Sequence, residues 1–139
     1  MFVDTNVLVH ALAPTAPGHG MARAALEAHA ESDRLCISRQ VLREFLAVIT
    51  RPQLWMQART PSEAADAAIV LANEFEILED GTAVWDQLID LSRRFAFGGR
   101  QVHDANIVAT MLVHGERRLL TFNTADFGRF AAVIELIAP

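Results

Sequence analysis

Short runs of apolar residues alternate along this chain with longer segments in which apolar positions recur every three or four residues. The short runs are typical of buried strands, and the longer segments are typical of amphipathic helices. The pattern predicts five strands, namely FVD (2–4), LCI (35–37), EFEILE (74–79), RLLT (118–121) and VIEL (133–136). It also predicts helices over residues 5–13, 19–31, 39–50, 61–73, 82–97 and 104–114.

Several helix ends carry recognisable signals. Thr5 and Ser38 are predicted N-caps, and the run from Thr60 to Glu63 is a capping box with proline at the first helical position. The helix after Ser38 should stop at Arg51, because the residue before a proline avoids the helical conformation. Residues 53–59 show no clear period and carry no prediction.

Strands that alternate with helices pair in parallel through right-handed crossovers. We therefore expect a single domain over residues 1–139 with an α/β fold, a three-layer α/β/α sandwich around a mainly parallel sheet of four to five strands. In such sheets the functional crevice lies beyond the carboxyl ends of the strands, near the point where the strand order reverses.

The amino-acid composition excludes several classes of function. The chain has 139 residues, of which 52% are hydrophobic, enough for one domain with its own core. It contains no lysine, which excludes P-loop and Schiff-base lysine chemistry, and it has no G-x-G-x-x-G run. The single cysteine, Cys36, sits in an apolar run and is predicted to be a buried core residue. Since no segment is typical of a signal peptide or membrane span, we expect a cytoplasmic protein.

Two acidic residues stand at positions where both a structural and a functional role are open. Asp4 follows the first strand directly, and in isolation it would be a turn residue. Glu44 shares a helical face with Val41, Phe45 and Val48, so it must be paired or lose its charge. A salt bridge to an arginine is the alternative to a functional role for Glu44.

Two further acids follow the later strands. Asp104 is predicted to open the helix DANIVATML, where it can act as an N-cap, a metal ligand or both. Asp126 comes shortly after the fourth strand, and it can simply cap a short helical turn through Phe130. Each structural explanation is sufficient when the residue is taken alone.

The predicted topology aims all four acidic segments at one edge of the sheet. Gathered carboxylates repel one another unless a cation offsets their charge. Oxygen ligands suit Mg²⁺ or Mn²⁺, and Mg²⁺ held by few carboxylates keeps the waters used in phosphate-ester hydrolysis. The histidines show no metal-ligand spacing, and we expect His10, His19 and His29 to be solvated.

Four blocks in this order resemble the PIN-domain family, and within it the VapC-type toxins: FVDTNVLV, REFLAVITRP, VHDANIVATMLVHG and LLTFNTADFGRF. The resemblance implies a metal-dependent endoribonuclease with acids at the carboxyl edge of a parallel sheet. Asp4 and Asp104 match direct metal ligands, and Glu44 matches an acid that binds directly or through water. The resemblance also implies that three polar residues support the site by hydrogen bonding: Thr5, Asn6 and Thr121.

The fourth acid of the family pattern has two candidate positions. In some members it falls at the place of Asn123, and in others about one turn later, at Asp126. We assign Asp126 the fourth role and Asn123 a supporting or substrate-contacting role.

The resemblance further implies an RNA substrate, a homodimer and a small antitoxin that inserts a segment, often carrying arginine, into the acidic cleft. The formal net charge of −5 fits a basic inhibitor better than it fits RNA. The stretch 51–59, which includes Trp55 and Met56, is the candidate partner-facing patch. We expect Trp55 and Trp85 to be core or interface residues rather than stacking platforms.

Three arginines flank the loop before Asp104 and are candidate RNA contacts: Arg93, Arg94 and Arg100. The alternative is that Arg93 and Arg94 only line a solvated helix end. Two other functions remain open, namely a PIN-like nuclease in RNA or DNA processing without a toxin role, and a non-catalytic α/β binding module.

Overall fold

The computed structural model describes residues 1–139. Its strands are β1 (Phe2–Val3), β2 (Cys36–Ser38), β3 (Glu76–Leu78), β4 (Arg118–Leu120) and β5 (Glu135–Ile137). Its helices are α1 (Thr5–Leu12), α2 (His19–Ala30), α3 (Arg39–Ile49), α4 (Pro61–Glu74), α5 (Thr82–Arg94), α6 (Gln101–Val113) and α7 (Thr124–Phe127), followed by a 3₁₀ turn over Gly128–Phe130. No helix is long and apolar enough to cross a membrane.

All five strands form one parallel sheet in the order β3-β2-β1-β4-β5. In register, Phe2 of β1 lies opposite Cys36 on one side and Leu119 on the other. Helices flank the sheet, with α1 to α4 packing against one another and α5 packing against α6. The predicted α/β fold with a parallel sheet is confirmed, and all five predicted strands are present.

The two central strands lie at the middle of the core. Phe2 and Val3 of β1 and Leu119 and Leu120 of β4 are completely buried. Continuous apolar strands are expected where helices cover both faces of a parallel sheet. Cys36 is buried beside them, as predicted. The strands are therefore short and rigid supports for whatever follows their carboxyl ends.

Two predicted helix boundaries are wrong in ways that affect the acidic residues, and the alternative in which Asp126 is an N-cap is not what the structure contains. The N-cap of α1 is Asp4 rather than Thr5. Helix α6 begins at Gln101, so Asp104 lies in its first turn and is not its cap. The segment predicted as a loop before Asp104 is helical, because tight turns from Gly98 onward begin the helix before Asp104. The Gly98 N–H also donates to Gln101 Oε1 over 3.2 Å. Asp126 lies inside α7, where the N-cap is Asn123.

The segment after α3, for which the sequence carried no prediction, forms an ordered turn. The backbones of Gln53 and Met56 exchange two hydrogen bonds, of 2.8 and 3.3 Å. The Thr15 hydroxyl donates to the carbonyl oxygen of Trp55, which lies inside this turn. The Arg59 N–H donates to the Ile49 carbonyl over 2.8 Å, which returns the chain to the end of α3. These bonds fix Trp55 against the loop that follows α1.

Candidate functional site

The strand order reverses between β1 and β4. The chain builds β2 and β3 on one side of β1 and then returns to add β4 and β5 on the other side. Two side chains directly follow the neighbouring strands at this junction, Asp4 after β1 and Thr121 after β4. Because a crevice opens at such a reversal, these residues lie where a parallel sheet places its functional site.

Asp4 is held in one orientation by the opposite strand end and by its own helix. Its carboxylate oxygen Oδ2 accepts hydrogen bonds from Thr121 Oγ1 at 2.6 Å and Asn6 Nδ2 at 2.7 Å. Its backbone N–H donates to the Leu120 carbonyl over 3.0 Å. The residue is only 6% exposed. The DTN run therefore supplies a buried, oriented carboxylate rather than a surface turn.

The environment of Asp4 disfavours its charge. Burial raises the pKa of Asp4 from 3.8 to about 6, and the nearby carboxylates of Glu44 and Asp104 act in the same direction. The hydrogen bond from Thr121 partly opposes this effect. A bound cation would relieve the unfavourable charge, and such perturbed groups are concentrated at functional sites.

Glu44 reaches the same region from α3. Its two oxygens accept hydrogen bonds from Thr5 Oγ1 at 3.0 Å and from Gln40 Nε2 at 2.7 Å. It forms no salt bridge, so the predicted alternative of an arginine partner is not what the structure contains. Neutral donors orient this carboxylate without removing its charge, which leaves it able to bind a cation.

Asp104 and Asp126 approach the site from α6 and α7. Partial burial raises the pKa of Asp104, and the negative charges of Asp126 and Glu44 add to that effect. Asp126 Oδ2 accepts a hydrogen bond of 2.5 Å from Asn123 Nδ2. The Arg129 guanidinium donates to the Asp126 carbonyl over 3.1 Å and partly offsets the raised pKa of Asp104.

One cavity of about 400 Å³ brings most of the predicted site residues together. Its walls include Asp4, Thr5, Asn6, Glu44, Asp104 and Asn123. Asp126 is outside the lining and acts through its charge on Asp104. A second, mostly apolar groove of about 500 Å³ lies along α1 to α4 and contains none of these acids. Of these two cavities, only the smaller one is lined by predicted site acids.

The donor set fits a hard divalent cation in type. No group of three or more acidic, histidine or cysteine side chains is arranged to hold a metal ion. Mg²⁺ commonly binds through one or two carboxylates and keeps water as its other ligands. The carboxylate, hydroxyl and amide oxygens around Asp4 match that mode of binding, whereas a structural zinc site has several histidine or cysteine ligands and the lining of this cavity contains only His10.

A model of the PIN domain matches residues 1–133 of the chain. The chain belongs to the PIN-domain family. No curated protein matches the sequence of this PIN domain closely enough to count as a relative.

Solved structures with the same fold include toxins and toxin–antitoxin complexes. VapC20 from Mycobacterium tuberculosis, described as a toxin that cleaves the sarcin–ricin loop, is 22% identical with a TM-score of 0.70, over 96% of each chain. A toxin–antitoxin complex from Klebsiella pneumoniae is 21% identical with a TM-score of 0.70, over 98% of this chain and 94% of that one. VapBC2 from Rickettsia felis, bound to a promoter DNA fragment, is 17% identical with a TM-score of 0.69, over 99% of this chain and 97% of that one.

Sequence reasoning missed Gln40 as part of the PIN-domain site. Its side-chain nitrogen Nε2 donates to Glu44 at 2.7 Å and to the His103 carbonyl at 2.9 Å. Its oxygen accepts a 2.8 Å bond from Asn106. The residue is only 7% exposed and ties α3 to the first turn of α6. The four-residue spacing between Gln40 and Glu44 was the available signal.

The three arginines predicted to contact RNA lie outside the lining of the cavity. Arg94 pairs with Asp90 at 3.1 Å, and Arg93 and Arg100 are exposed near the end of α5 and the start of α6. Arg51, after α3, lines the cavity instead. Contact between RNA and the three predicted arginines stays a prediction.

Proposed function

We propose that this PIN domain is a Mg²⁺-dependent endoribonuclease that acts as the toxin of a toxin–antitoxin pair, with Mn²⁺ able to replace Mg²⁺. One observation carries the proposal. Asp4 is buried, has a pKa raised to about 6, and shares one cavity with Glu44 and Asp104. A fold that gathers unpaired carboxylates against their repulsion is best explained by a cation that binds them.

The proposed ligands are Asp4 and Asp104, with Glu44 completing the coordination directly or through water and Asp126, which lies outside the cavity lining, contributing through water. A divalent cation there would supply an activated water and positive charge for the phosphate undergoing hydrolysis. The hydrogen-bonded neighbours of Asp4 and Glu44 orient both carboxylates, so the ligands need little rearrangement when a cation binds.

The proposed partners follow from the family fold and the charge of the chain. The structural neighbours include toxin–antitoxin complexes, and VapC20 is described as a toxin that cleaves an RNA loop. The net charge of −5 and the acidic cavity favour an inhibitor with a basic segment. We therefore propose a small antitoxin that covers the acidic cavity, and a homodimer as the toxin's own state.

The test combines metal binding with RNA cleavage. The wild-type protein should gain thermal stability with Mn²⁺ and cleave single-stranded or loop-containing RNA only when Mg²⁺ or Mn²⁺ is present. Asp4→Asn and Asp104→Asn should lose both properties while remaining folded by circular dichroism. Asp86→Asn is the matched control, because Asp86 is an exposed acid on α5 outside the cavity. Cleavage at the wild-type rate by both site variants would overturn the proposal.

The toxin role has a separate readout. Expression of the wild-type chain should arrest host growth, and expression of Asp4→Asn should not. Normal growth together with metal-dependent cleavage in vitro would instead favour a processing nuclease. A protein that shows neither a Mn²⁺-dependent thermal shift nor cleavage would be a binding module.

A further inference from the structure

The cavity that contains the acids has a second end of different chemistry. Away from Asp4, its walls are formed by Trp55, His10 and the apolar side chains between them, and Arg51 lies at its margin. The carboxylates and the aromatic rings therefore face one continuous space. A ligand that fills this space must carry a charged group at one end and a flat or apolar group at the other.

His10 and Trp55 form this aromatic end of the lining, and Phe122 packs against His10 from outside it; we call these three rings the aromatic platform. The His10 ring centroid lies 5.2 Å from that of Trp55, with 60° between the planes, and 4.8 Å from that of Phe122. Such edge-to-face and tilted contacts stabilise aromatic clusters. The platform is joined to the acidic end, because the Phe122 N–H donates to Asn6 Oδ1 over 3.1 Å.

The environment of His10 determines which ring nitrogen can serve a ligand. Its Nδ1 is buried and has no hydrogen-bond partner. A side chain at Gly18 is excluded there, since an added Cβ would lie 2.6 Å from Nδ1 and 2.7 Å from the Phe122 ring. A buried N–H without an acceptor is unfavourable, so the proton belongs on Nε2. Burial also lowers the pKa of His10, which favours this neutral form. His10 therefore offers an N–H donor at Nε2.

Trp55 is partly exposed and yet well fixed. Hydrogen bonds between Gln53 and Met56 close the turn that carries it, and Thr15 binds its carbonyl. The backbone that carries the indole is therefore ordered before a ligand binds, which reduces the entropy lost on binding. Trp55 packs against the hydrophobic core, as expected from the sequence, and it also lines the cavity.

We propose that the aromatic platform binds an unpaired nucleobase of the RNA strand beside the scissile phosphate, by stacking on Trp55 with His10 Nε2–H as a hydrogen-bond donor. The inference rests on the proposed ribonuclease function and adds to it a subsite for one base. Proteins that recognise single-stranded RNA place bases on aromatic side chains in this way. The base is uncharged, so it gains stacking without meeting the repulsion that the carboxylates impose on phosphates.

Arg51 suits the same ligand. Its Nε donates to the Ala47 carbonyl over 2.9 Å, and its guanidinium makes no salt bridge. The terminal nitrogens are thus available to an adjacent phosphate of the strand. The cavity thus offers a guanidinium, an aromatic surface and carboxylates. A nucleotide with its flanking phosphates has groups that suit each of these.

The two tryptophans of the chain allow a direct test. Trp85 is 60% exposed on α5 and outside the cavity, so Trp85→Phe leaves Trp55 as the only fluorophore. In an Asp104→Asn background, where cleavage is not expected, a single-stranded adenylate decamer with Mg²⁺ should quench this fluorescence. A decamer of abasic ribose phosphate should quench it weakly or not at all.

Variants then assign the contact to the platform. Trp55→Leu and His10→Ala should weaken binding of the adenylate decamer roughly 5- to 100-fold, the range given by loss of one stacked base. Both should leave binding of the abasic decamer unchanged. Trp55→Phe should restore most of the affinity, and Trp85→Phe should have no effect. When the same four substitutions are made in the wild-type background, the Mn²⁺-dependent thermal shift should be the same in all four, which separates this inference from the metal site.

The outcomes are distinct. Equal quenching by adenylate and abasic decamers would overturn the inference, even if the protein binds Mn²⁺ and cleaves RNA. Equal affinity of Trp55→Leu and wild type for the adenylate decamer would also overturn it, and would leave Trp55 to the protein-facing patch expected from the sequence. Absence of both the Mn²⁺ shift and cleavage would instead overturn the proposed function, whatever the fluorescence shows.

Discussion

Replacing Asp4 by asparagine should stabilise the protein in the absence of divalent metal. Burial and two neighbouring carboxylates raise the pKa of Asp4 from 3.8 to about 6. The substituted amide has nearly the same shape, and its oxygen can still accept the bonds from Thr121 and Asn6. The substitution thus removes the unfavourable charge and keeps the packing, which is the condition for a stabilising change at a functional site.

The magnitude follows from the pKa difference between the folded and unfolded chains. A rise from 3.8 to about 6 corresponds to about 3 kcal/mol, at 1.36 kcal/mol per unit of pKa. Below pH 3.8 the carboxyl of Asp4 is protonated in both states, and its ionisation costs nothing. As the pH rises from about 4 to about 6, the unfolded chain ionises more readily, so wild-type stability falls by this amount and then levels off.

Denaturant unfolding measured at several pH values, with a chelator present, tests this reasoning. The free energy of unfolding of Asp4→Asn should exceed that of the wild type by an amount that grows between pH 4 and pH 6 and reaches about 3 kcal/mol at pH 7. Mn²⁺ at a hundred times its dissociation constant should then stabilise the wild type by about 2.7 kcal/mol and leave the variant unchanged. The two proteins should become nearly equal.

The control is Asp86→Asn, which changes an exposed acid without hydrogen-bond partners and should follow the wild type throughout. An Asp4→Asn protein that is less stable than the wild type at pH 7 without metal would refute the reasoning. A stability difference that does not vary between pH 4 and pH 7 would show that packing, rather than ionisation of Asp4, causes it.

Three other predictions follow from the same structure. Gln40→Leu should lower Mn²⁺ affinity about 10- to 100-fold in a thermal-shift titration, because Glu44 loses a 2.7 Å donor; unchanged affinity would contradict this role. Thr60→Ala should lower the free energy of unfolding by about 1 kcal/mol through loss of the capping box, with Ser62→Ala as the unaffected control. Cys36, buried and with its pKa raised to about 11, should resist alkylation at pH 8 until denaturant is added; rapid labelling of the folded protein would contradict its burial.

The sheet and most of the acidic site could be predicted because both depend on local patterns and on topology. Asp4 follows an apolar run directly, and a parallel sheet requires that such ends meet at one edge. Glu44 interrupts an apolar stripe at helical spacing, which marks it without any structural knowledge. Neither inference requires knowing which residues from distant parts of the sequence contact Asp4 or Glu44.

The contacts of His10 could not be predicted for the opposite reason. Its ring is packed between Trp55 and Phe122, which belong to two segments distant in sequence. One of them lies in the turn for which the sequence carried no prediction. Its placement next to Gly18 also depends on a close approach that hydrophobic periodicity does not encode. The expectation that His10 is solvated was therefore wrong at Nδ1.

Asp4 occupies a helix N-cap position without making the hydrogen bond that usually stabilises a helix there. An aspartate at a helix N-cap ordinarily stabilises the helix by accepting a hydrogen bond from the first turn. Asp4 occupies the N-cap of α1 but makes no such side-chain bond, since Oδ2 receives Thr121 and Asn6 instead. The donors come from the residue after β4 and from a side chain of α1, so the carboxylate is oriented by both elements without capping the helix backbone. An N-cap that forgoes its local bond and carries an unfavourable charge is poor for stability alone, and this is why the DTN run indicates a binding site and not a turn.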